Sequence, residues 1–368
     1  MTIRCKAVVT RELNKPVRVE TITVDPPQRG EVTVKMTACG VCHSDLSVTN
    51  GTIGLPMPMV LGHEAAGVVS AVGEGVTELA VGDHVVSSFS YMCGNCRFCA
   101  TGRPVICLDR DKAAATLPDG TWRTRDADGK PLNVMSGCGV MAEYATLSTR
   151  SVVRIDKSFP LDRAALVGCA VTTGVGAALN TARVRAGSIV AVFGVGGVGL
   201  NAIQGAAIAG AAQIIAVDTN PGKLETARKF GATDVVAIQA GEDPTKTLKK
   251  MTGGGVDYAF ECVGSGAVAD LAYKSLVRGG MAVIVGVAKP GDNMSVRTMT
   301  LPFEEKQLVG SYFGSSVPKL DFPKLLNLYQ RGKLKLDELI SRRYSIDEAP
   351  QAFADLESGV NARGVIVF

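Results

Sequence analysis

The segment VAVFGVGGVGLNAIQ constrains the fold more than any other part of this chain. It carries G-x-G-x-x-G at Gly194, Gly196 and Gly199, with Gly197 beside them. An apolar strand, SIVAVFG, runs into the glycines and a helical pattern runs out of them. Asp218 closes the next apolar strand, QIIAVD, about twenty residues on. Strand, glycine turn, helix and acid together form a dinucleotide-binding fingerprint, and each part has a physical task. Gly194 permits the tight turn, Gly196 lets the backbone approach a pyrophosphate, and Gly199 lets helix and strand pack closely. The phosphates would sit at the helix N-terminus, where free N–H groups favour negative charge. Asp218 would accept hydrogen bonds from the adenosine ribose hydroxyls and repel a 2′-phosphate. Thr219 and Asn220 follow it, not Arg, so NAD is expected over NADP. A glycine-rich packing turn without a cofactor is the plainer alternative, and the coincident strand, helix and acid weigh against it.

The same region has no charged residue from Gly187 to Val217. That run is long enough to cross a bilayer. Its clustered glycines break it into strand, turn and helix, and Arg185 and Asp218 bracket it. A buried parallel strand followed by a helix packed on a sheet reads just as apolar, so no membrane span is expected. Downstream, GKLETARKFGA reads as a helix, DVVAI and VDYAFECVG as strands, GAVADLAYKSLVRGG as a helix and MAVIVGV as a strand. Strands alternating with helices imply a doubly wound parallel sheet of the Rossmann kind over residues 171–311. Residues 1–170 read differently. EVTVKM places Val32, Val34 and Met36 on one face, and PVRVETITV, AAGVVSAVG and GDHVVSS are further short strands bounded by turns. That pattern implies a β-rich, barrel-like domain. Residues 312–368, with helical FPKLLNLYQRGKL and APQAFADLESG and a closing strand RGVIVF, are grouped with it.

A second constraint is CGNCRFCATGRPVIC, four thiols spaced C-x2-C-x2-C-x7-C at Cys93, Cys96, Cys99 and Cys107. Disulfide frameworks belong to short secreted chains, whereas this one has 368 residues and opens MTIRCKAVVT, without an apolar run or a cleavage site. A cytoplasmic protein is expected. An iron–sulfur run would place its fourth thiol after three residues with Pro next; here seven intervene and Leu108 follows. A closed tetrahedral zinc site fits best, a structural lobe over about residues 90–110 with no position left for a substrate. Forty-six per cent hydrophobic residues describe a chain with ample core, and a net charge of +4 without a Lys/Arg-rich block makes nucleic acid an unexpected partner.

Chemistry must then be sought elsewhere. The chain has three histidines, His43, His63 and His84. His63 lies in LGHEAAG beside Glu64, Cys42 in GVCHSD and Cys169 in LVGCAVTTG. One His and two Cys form the ligand set of a catalytic zinc that keeps its fourth position open. Spacing alone does not pair residues 42, 63 and 169. Read alone, Cys169 is more often a small buried hydrophobe than a ligand, and Cys39-Gly-Val-Cys42 could be a redox pair, though it lacks the usual βαβ setting. Cys5, Cys39, Cys138 and Cys262 read as core thiols, and His84 as structural.

GVCHSD, GHEAAG, GDHVV, the four-thiol lobe, GVGGVG and IIAVD follow one another in an order and at intervals that resemble the zinc-dependent medium-chain alcohol dehydrogenases over essentially the whole length. The resemblance implies a Rossmann domain joined to a β-rich, GroES-like catalytic domain, two zinc ions per chain, and hydride transfer between an alcohol and NAD. It implies Cys42, His63 and Cys169 as catalytic zinc ligands. Glu64 would be a nearby carboxylate, Asp45 the carboxylate that orients the ligand His, and Ser44 the first member of a proton relay. Cys93, Cys96, Cys99 and Cys107 would hold the structural zinc. His43 and Arg363 would face the pyrophosphate, Thr173 the nicotinamide, Lys223 the adenosine ribose and Phe89 the substrate channel. Many relatives end the relay in a His three residues after the Ser; Ser47 stands there, so the relay ends in Ser47 or water. Where glutathione-dependent relatives carry an acid, this chain has Ile53, which argues against glutathione but not against another thiol. The channel implied suits primary, allylic or benzylic alcohols. The segment DRDKAAATLPDGTWRTRDADGKPLNVMSG resembles an insert associated with dimers, so a homodimer is expected.

Overall fold

The computed structural model describes all residues, Met1 to Phe368. They form two units, Met1–Cys169 with Val317–Phe368, and Ala170–Ser316. The second crossing lies at Ser316 rather than at residue 311, because the turn Phe313–Ser315 packs within the second unit, where Gly314 and Gly176 lie too close to admit a Cβ on either.

The first unit is built on Glu31–Val41, a strand hydrogen-bonded to Ala65–Val72, Tyr144–Ser148 and Gly364–Val367. Its alternation places Val32, Val34 and Met36 in the core, as the sequence implies. The structure also buries Glu31 and Thr33 on the other face, while Lys35 stays exposed. Thr33 meets Thr146 through their hydroxyls at 2.9 Å, and Glu31 takes a two-pronged hydrogen bond from Arg123 at 2.7 and 2.9 Å. Arg123 belongs to the segment after the thiol lobe, so a buried ion pair ties that segment to the central strand. Register shifts at Thr33/Val34 and Met36/Ala38 bend the strand, as extra residues in a ladder do, and help curl the sheet.

The second unit is a six-stranded parallel sheet in the order Asp234–Ala237, Gln213–Asp218, Ile189–Phe193, Val256–Glu261, Leu276–Ile284, Gln307–Gly310. Strand order reverses beside Ile189–Phe193, the arrangement of a doubly wound nucleotide-binding sheet. The uncharged run resolves into the strand Ile189–Phe193, the helix Gly197–Ile208 and the strand Gln213–Asp218. No single helix is long and apolar enough to cross a membrane. The helix after Ser265 is shorter than its sequence implies. It stops at Lys274, and Leu276–Ile284 is already strand, because Leu276 pairs with Val256 ahead of a bulge.

Candidate metal centre and dinucleotide turn

Cys42 directly follows the strand Glu31–Val41 and caps the helix His43–Thr49. Asp45, in the first turn of that helix, returns its carboxylate to the Cys42 N–H at 3.1 Å, closing a capping box. Its other oxygen accepts the Gly62 N–H at 3.0 Å and faces His63 Nδ1 at 3.3 Å. Gly62 sits at φ +95, and a Cβ there would lie 2.3 Å from the Met141 nitrogen, so only glycine lets the chain turn into His63. Ser87 holds the same corner, accepting the Ala65 N–H at 2.9 Å and donating to the His63 carbonyl at 3.3 Å. Cys169 follows the turn Leu166–Gly168 at the end of the first unit's main segment.

These elements bring the ligand atoms of Cys42, His63, Glu64 and Cys169 within 4.8 Å of one another, all buried. The two sulfurs stand 4.0 Å apart. A tetrahedral ion with two Zn–S bonds needs about 3.8 Å between sulfurs. With Nδ1 turned to Asp45, a neutral His63 carries its proton on Nδ1 and keeps the Nε2 lone pair for a metal, and Nε2 is buried without a hydrogen-bond partner. Two thiols and one orphaned imidazole nitrogen fit a zinc ion. The Cys169 thiol pulls the Cys42 thiol well below its usual pKa, against the effect of burial. Cys169 is pushed up, first by that same hydrogen bond and then by burial. Burial alone would keep His63 neutral; Asp45 and Cys42 outweigh it and raise its pKa.

Glu64 is fully buried, and burial raises its carboxyl to about 8 against the pull of Arg363. Arg363 Nη2 lies 3.0 Å from Glu64 Oε2, and Nη1 donates to the Val41 carbonyl at 3.1 Å. The guanidinium expected to face a pyrophosphate is therefore 4% exposed and engaged with Glu64 inside the first unit. It arrives there because Gly364 pairs with Val41 across the antiparallel ladder. Gly40 makes room for the carboxylate, since a Cβ would lie 2.7 Å from Glu64 Oε1. Ser44 is half-buried with its hydroxyl 3.8 Å from Cys42 Sγ, His43 is exposed, and the Phe89 ring stands edge-on to His63 at 5.3 Å. Ser47 is half-buried on the same helix, and Ile53 packs against the core.

The four-thiol lobe is a second cluster, with the sulfurs of Cys93, Cys96, Cys99 and Cys107 within 4.8 Å of one another. Backbone N–H groups point at them: Cys96 N–H at Cys93, and both Cys93 and Asp109 N–H at Cys107, each at 3.3 Å. Backbone N–H groups, that of Cys99 foremost, pull Cys96 down to about 6. Hydrogen bonds to sulfur favour thiolate, the form that binds metal, while burial works the other way and pushes Cys99 up to about 12 and Cys107 above its usual value. Arg150 anchors the lobe by donating to the Cys93 carbonyl.

In the second unit, Gly194 adopts φ +83, and a Cβ on Gly199 would lie 1.9 Å from the Gly194 carbonyl. Gly196 caps the helix Gly197–Ile208 without a side-chain hydrogen bond, and a Cβ there would meet open space. The helix N-terminus is thus left bare, as a phosphate site requires. Asp218 accepts the Val195 N–H at 2.8 Å and the Asn220 N–H at 2.9 Å, so it fixes the turn as well as offering charge. Lys223 opens the next helix, Pro221–Lys229, and Thr173 is buried in the helix Ala170–Gly176. No local pattern marks Gly40, Ser87 or the Glu64–Arg363 pair. Gly62 carried the one signal that could have been read, a glycine directly before the candidate ligand.

Residues 28–157 match the family model described as alcohol dehydrogenase GroES-like domain, and residues 197–331 match zinc-binding dehydrogenase. An NDMA-dependent alcohol dehydrogenase from Amycolatopsis methanolica is 43% identical, over 99% of both chains. An S-(hydroxymethyl)glutathione dehydrogenase from Saccharomyces cerevisiae is 41% identical, over 99% of this chain and 96% of its own. Among solved structures, benzyl alcohol dehydrogenase from Acinetobacter calcoaceticus superposes with a TM-score of 0.91 at 34% identity, covering 100% of this chain and 99% of its own.

Proposed function

The chain belongs to the zinc-dependent medium-chain alcohol dehydrogenases, and within that family we propose that it transfers hydride reversibly between a primary alcohol, allylic or aromatic ones included, and NAD. The observation that carries the proposal is the buried cluster of two thiols and an unpartnered imidazole nitrogen, in a chain that also has a bare phosphate turn closed by Asp218. Cys42, His63 and Cys169 would hold a catalytic zinc, and the four-thiol lobe a structural one. A bound zinc supplies Lewis acidity, which lowers the pKa of an alcohol or polarises a carbonyl.

The chain's own residues supply the rest. Asp45 keeps the His63 proton on Nδ1, so that Nε2 stays a lone-pair donor. The Ser44 hydroxyl takes the alcohol proton and passes it outward to Ser47 or water. The Arg363 guanidinium stands 3.0 Å from the Glu64 carboxyl beside the ligands. Phe89 presents an apolar wall to the substrate carbon. Asp218, already accepting two N–H groups of the turn, holds the adenosine ribose and disfavours a 2′-phosphate. His43 and the bare helix end take the pyrophosphate, Lys223 the adenosine ribose and Thr173 the nicotinamide.

A second reading is oxidation of an S-hydroxymethyl adduct of a small thiol, favoured by the name of the yeast relative. Ile53 weighs against glutathione as that thiol. Ten cysteines, none in a disulfide, suit a cytoplasmic setting. A homodimer is supported by the edge strand Gln307–Gly310, whose outer backbone is unpaired and whose surroundings expose Met299, Phe303 and Leu308. Initial rates with benzyl alcohol and NAD, NADP or NDMA in turn, and with formaldehyde with and without added thiols, test the proposal. NAD reduction by benzyl alcohol without a thiol supports it; activity only with formaldehyde and a thiol favours the second reading; no activity with any pair refutes both.

A further inference from the structure

Glu261 has no part in the chemistry above, yet it is the one carboxylate of the second unit that is fully buried. It ends the strand Val256–Glu261, in register with Phe193 at the head of the fingerprint turn. Its side chain is fully buried. Oε1 accepts the N–H groups of Val263 at 2.8 Å and Gly264 at 2.7 Å, while Oε2 is buried without a partner. The carbonyl of the same residue accepts the N–H groups of Val285 at 2.9 Å and Gly286 at 3.0 Å. One residue therefore fixes the turns that follow two adjacent strands.

Three glycines let those turns close on it. A Cβ on Gly194 would lie 2.5 Å from Val263 Cγ2, one on Gly264 would lie 2.5 Å from the Val287 carbonyl, and one on Gly286 would lie 2.6 Å from Glu261 Oε2. The turns after Ile189–Phe193, Val256–Glu261 and Leu276–Ile284 are thus stacked around one carboxylate, and Val263 and Val287 carry their apolar side chains out to solvent, 56% and 61% exposed. Strand order assigns the sides. Asp218 marks the adenosine half on one side of the fingerprint strand, and the Glu261 turns lie across the reversal point on the other, the half that receives the second nucleotide.

Building on the dinucleotide reading above, we propose that Glu261 is a positioning residue for the nicotinamide half of the cofactor, setting the turns 262–264 and 285–287 against the fingerprint turn. Burying a carboxylate with one oxygen left without a partner costs stability. The compensating gain is one rigid anchor for two turns that would otherwise move independently. The carboxylate itself touches no substrate or cofactor.

The test compares NADH with ADP-ribose, which has the adenosine and pyrophosphate but no nicotinamide, on wild type and Glu261→Gln by calorimetry. The amide is isosteric and can still accept both N–H groups, but its NH2 replaces the buried Oε2. Glu261→Gln should bind NADH about tenfold more weakly and ADP-ribose within about twofold of wild type, with kcat for benzyl alcohol falling about 10- to 100-fold, as displaced reacting groups produce. If wild type binds neither ligand, the dinucleotide reading itself fails. If wild type binds both and Glu261→Gln binds both as wild type does, or loses both equally, the Glu261 proposal alone is overturned. Should the variant not fold, amide exchange on wild type decides: NADH but not ADP-ribose should slow exchange at Val263, Gly264 and Gly286, and equal protection by both overturns the proposal.

Discussion

Replacing Asp45 with asparagine separates the candidate metal centre from a mere packing of thiols. Three N–H groups converge on its two oxygens: Cys42 N–H on one, and Gly62 N–H and His63 Nδ1–H on the other. Asparagine keeps the volume but has one acceptor oxygen. Turned towards Gly62 and His63, its NH2 confronts the Cys42 N–H and the capping box opens. Turned the other way, the NH2 confronts two donors, and His63 is driven to move its proton to Nε2, the atom a metal needs. Asp45 is fully buried and His63 nearly so, so a stranded N–H finds no water. Leaving one such donor unpaired costs about 1–3 kcal/mol. Loss of a carboxylate behind a ligand His lowers metal affinity about 10- to 100-fold, or about 1.4–2.7 kcal/mol, which agrees with that cost. The assay is zinc competition against a chromophoric chelator at fixed pH, with the four-thiol lobe as internal reference. Asp45→Asn should weaken one class of site and leave the other as in wild type. Two classes of site with wild-type affinities in Asp45→Asn would refute the reasoning.

Other perturbations follow from the same structure. Arg123→Met leaves Glu31 buried without its cation and should cost about 3–5 kcal/mol in urea unfolding, whereas Arg123→Met with Glu31→Leu should recover most of it; equal losses would mean that the pair is not a buried ion pair in solution. Asp218→Asn removes the charge that disfavours a 2′-phosphate and should move the kcat/KM ratio of NAD to NADP towards NADP, with an unchanged ratio counting against Asp218 as the discriminating group. Leu308→Lys should convert a dimer to monomer in light scattering if the edge strand Gln307–Gly310 pairs two chains; an unchanged dimer would place the interface elsewhere.

What the sequence displayed and what it hid divide along contact distance. The fingerprint turn and the thiol lobe are local: each sits within a few turns of chain, and spacing shows it. Cys42, His63 and Cys169 meet only through the curled sheet of the first unit, so spacing left them unpaired and resemblance to a family joined them. Arg363 reaches Glu64 through a ladder that brings the last strand onto Glu31–Val41, a pairing that no local pattern announces. Arg123 and Glu31 lie far apart in the chain, and charge in a sequence carries no mark of burial. The early start of Leu276–Ile284 was hidden for a related reason: its first residues alternate too weakly to outweigh the helix before them, and pairing with Val256 decides. Glu261 showed nothing, since its role is to hold backbone N–H groups that every sequence possesses.

The central claim is that Cys42, His63 and Cys169 share one ion. Counting zinc per chain in the purified protein and in Cys169→Ala tests it most directly. Two clusters predict two zinc ions per chain in wild type and one in Cys169→Ala, the remaining ion bound by the four-thiol lobe. One zinc in wild type, or two in Cys169→Ala, would contradict it.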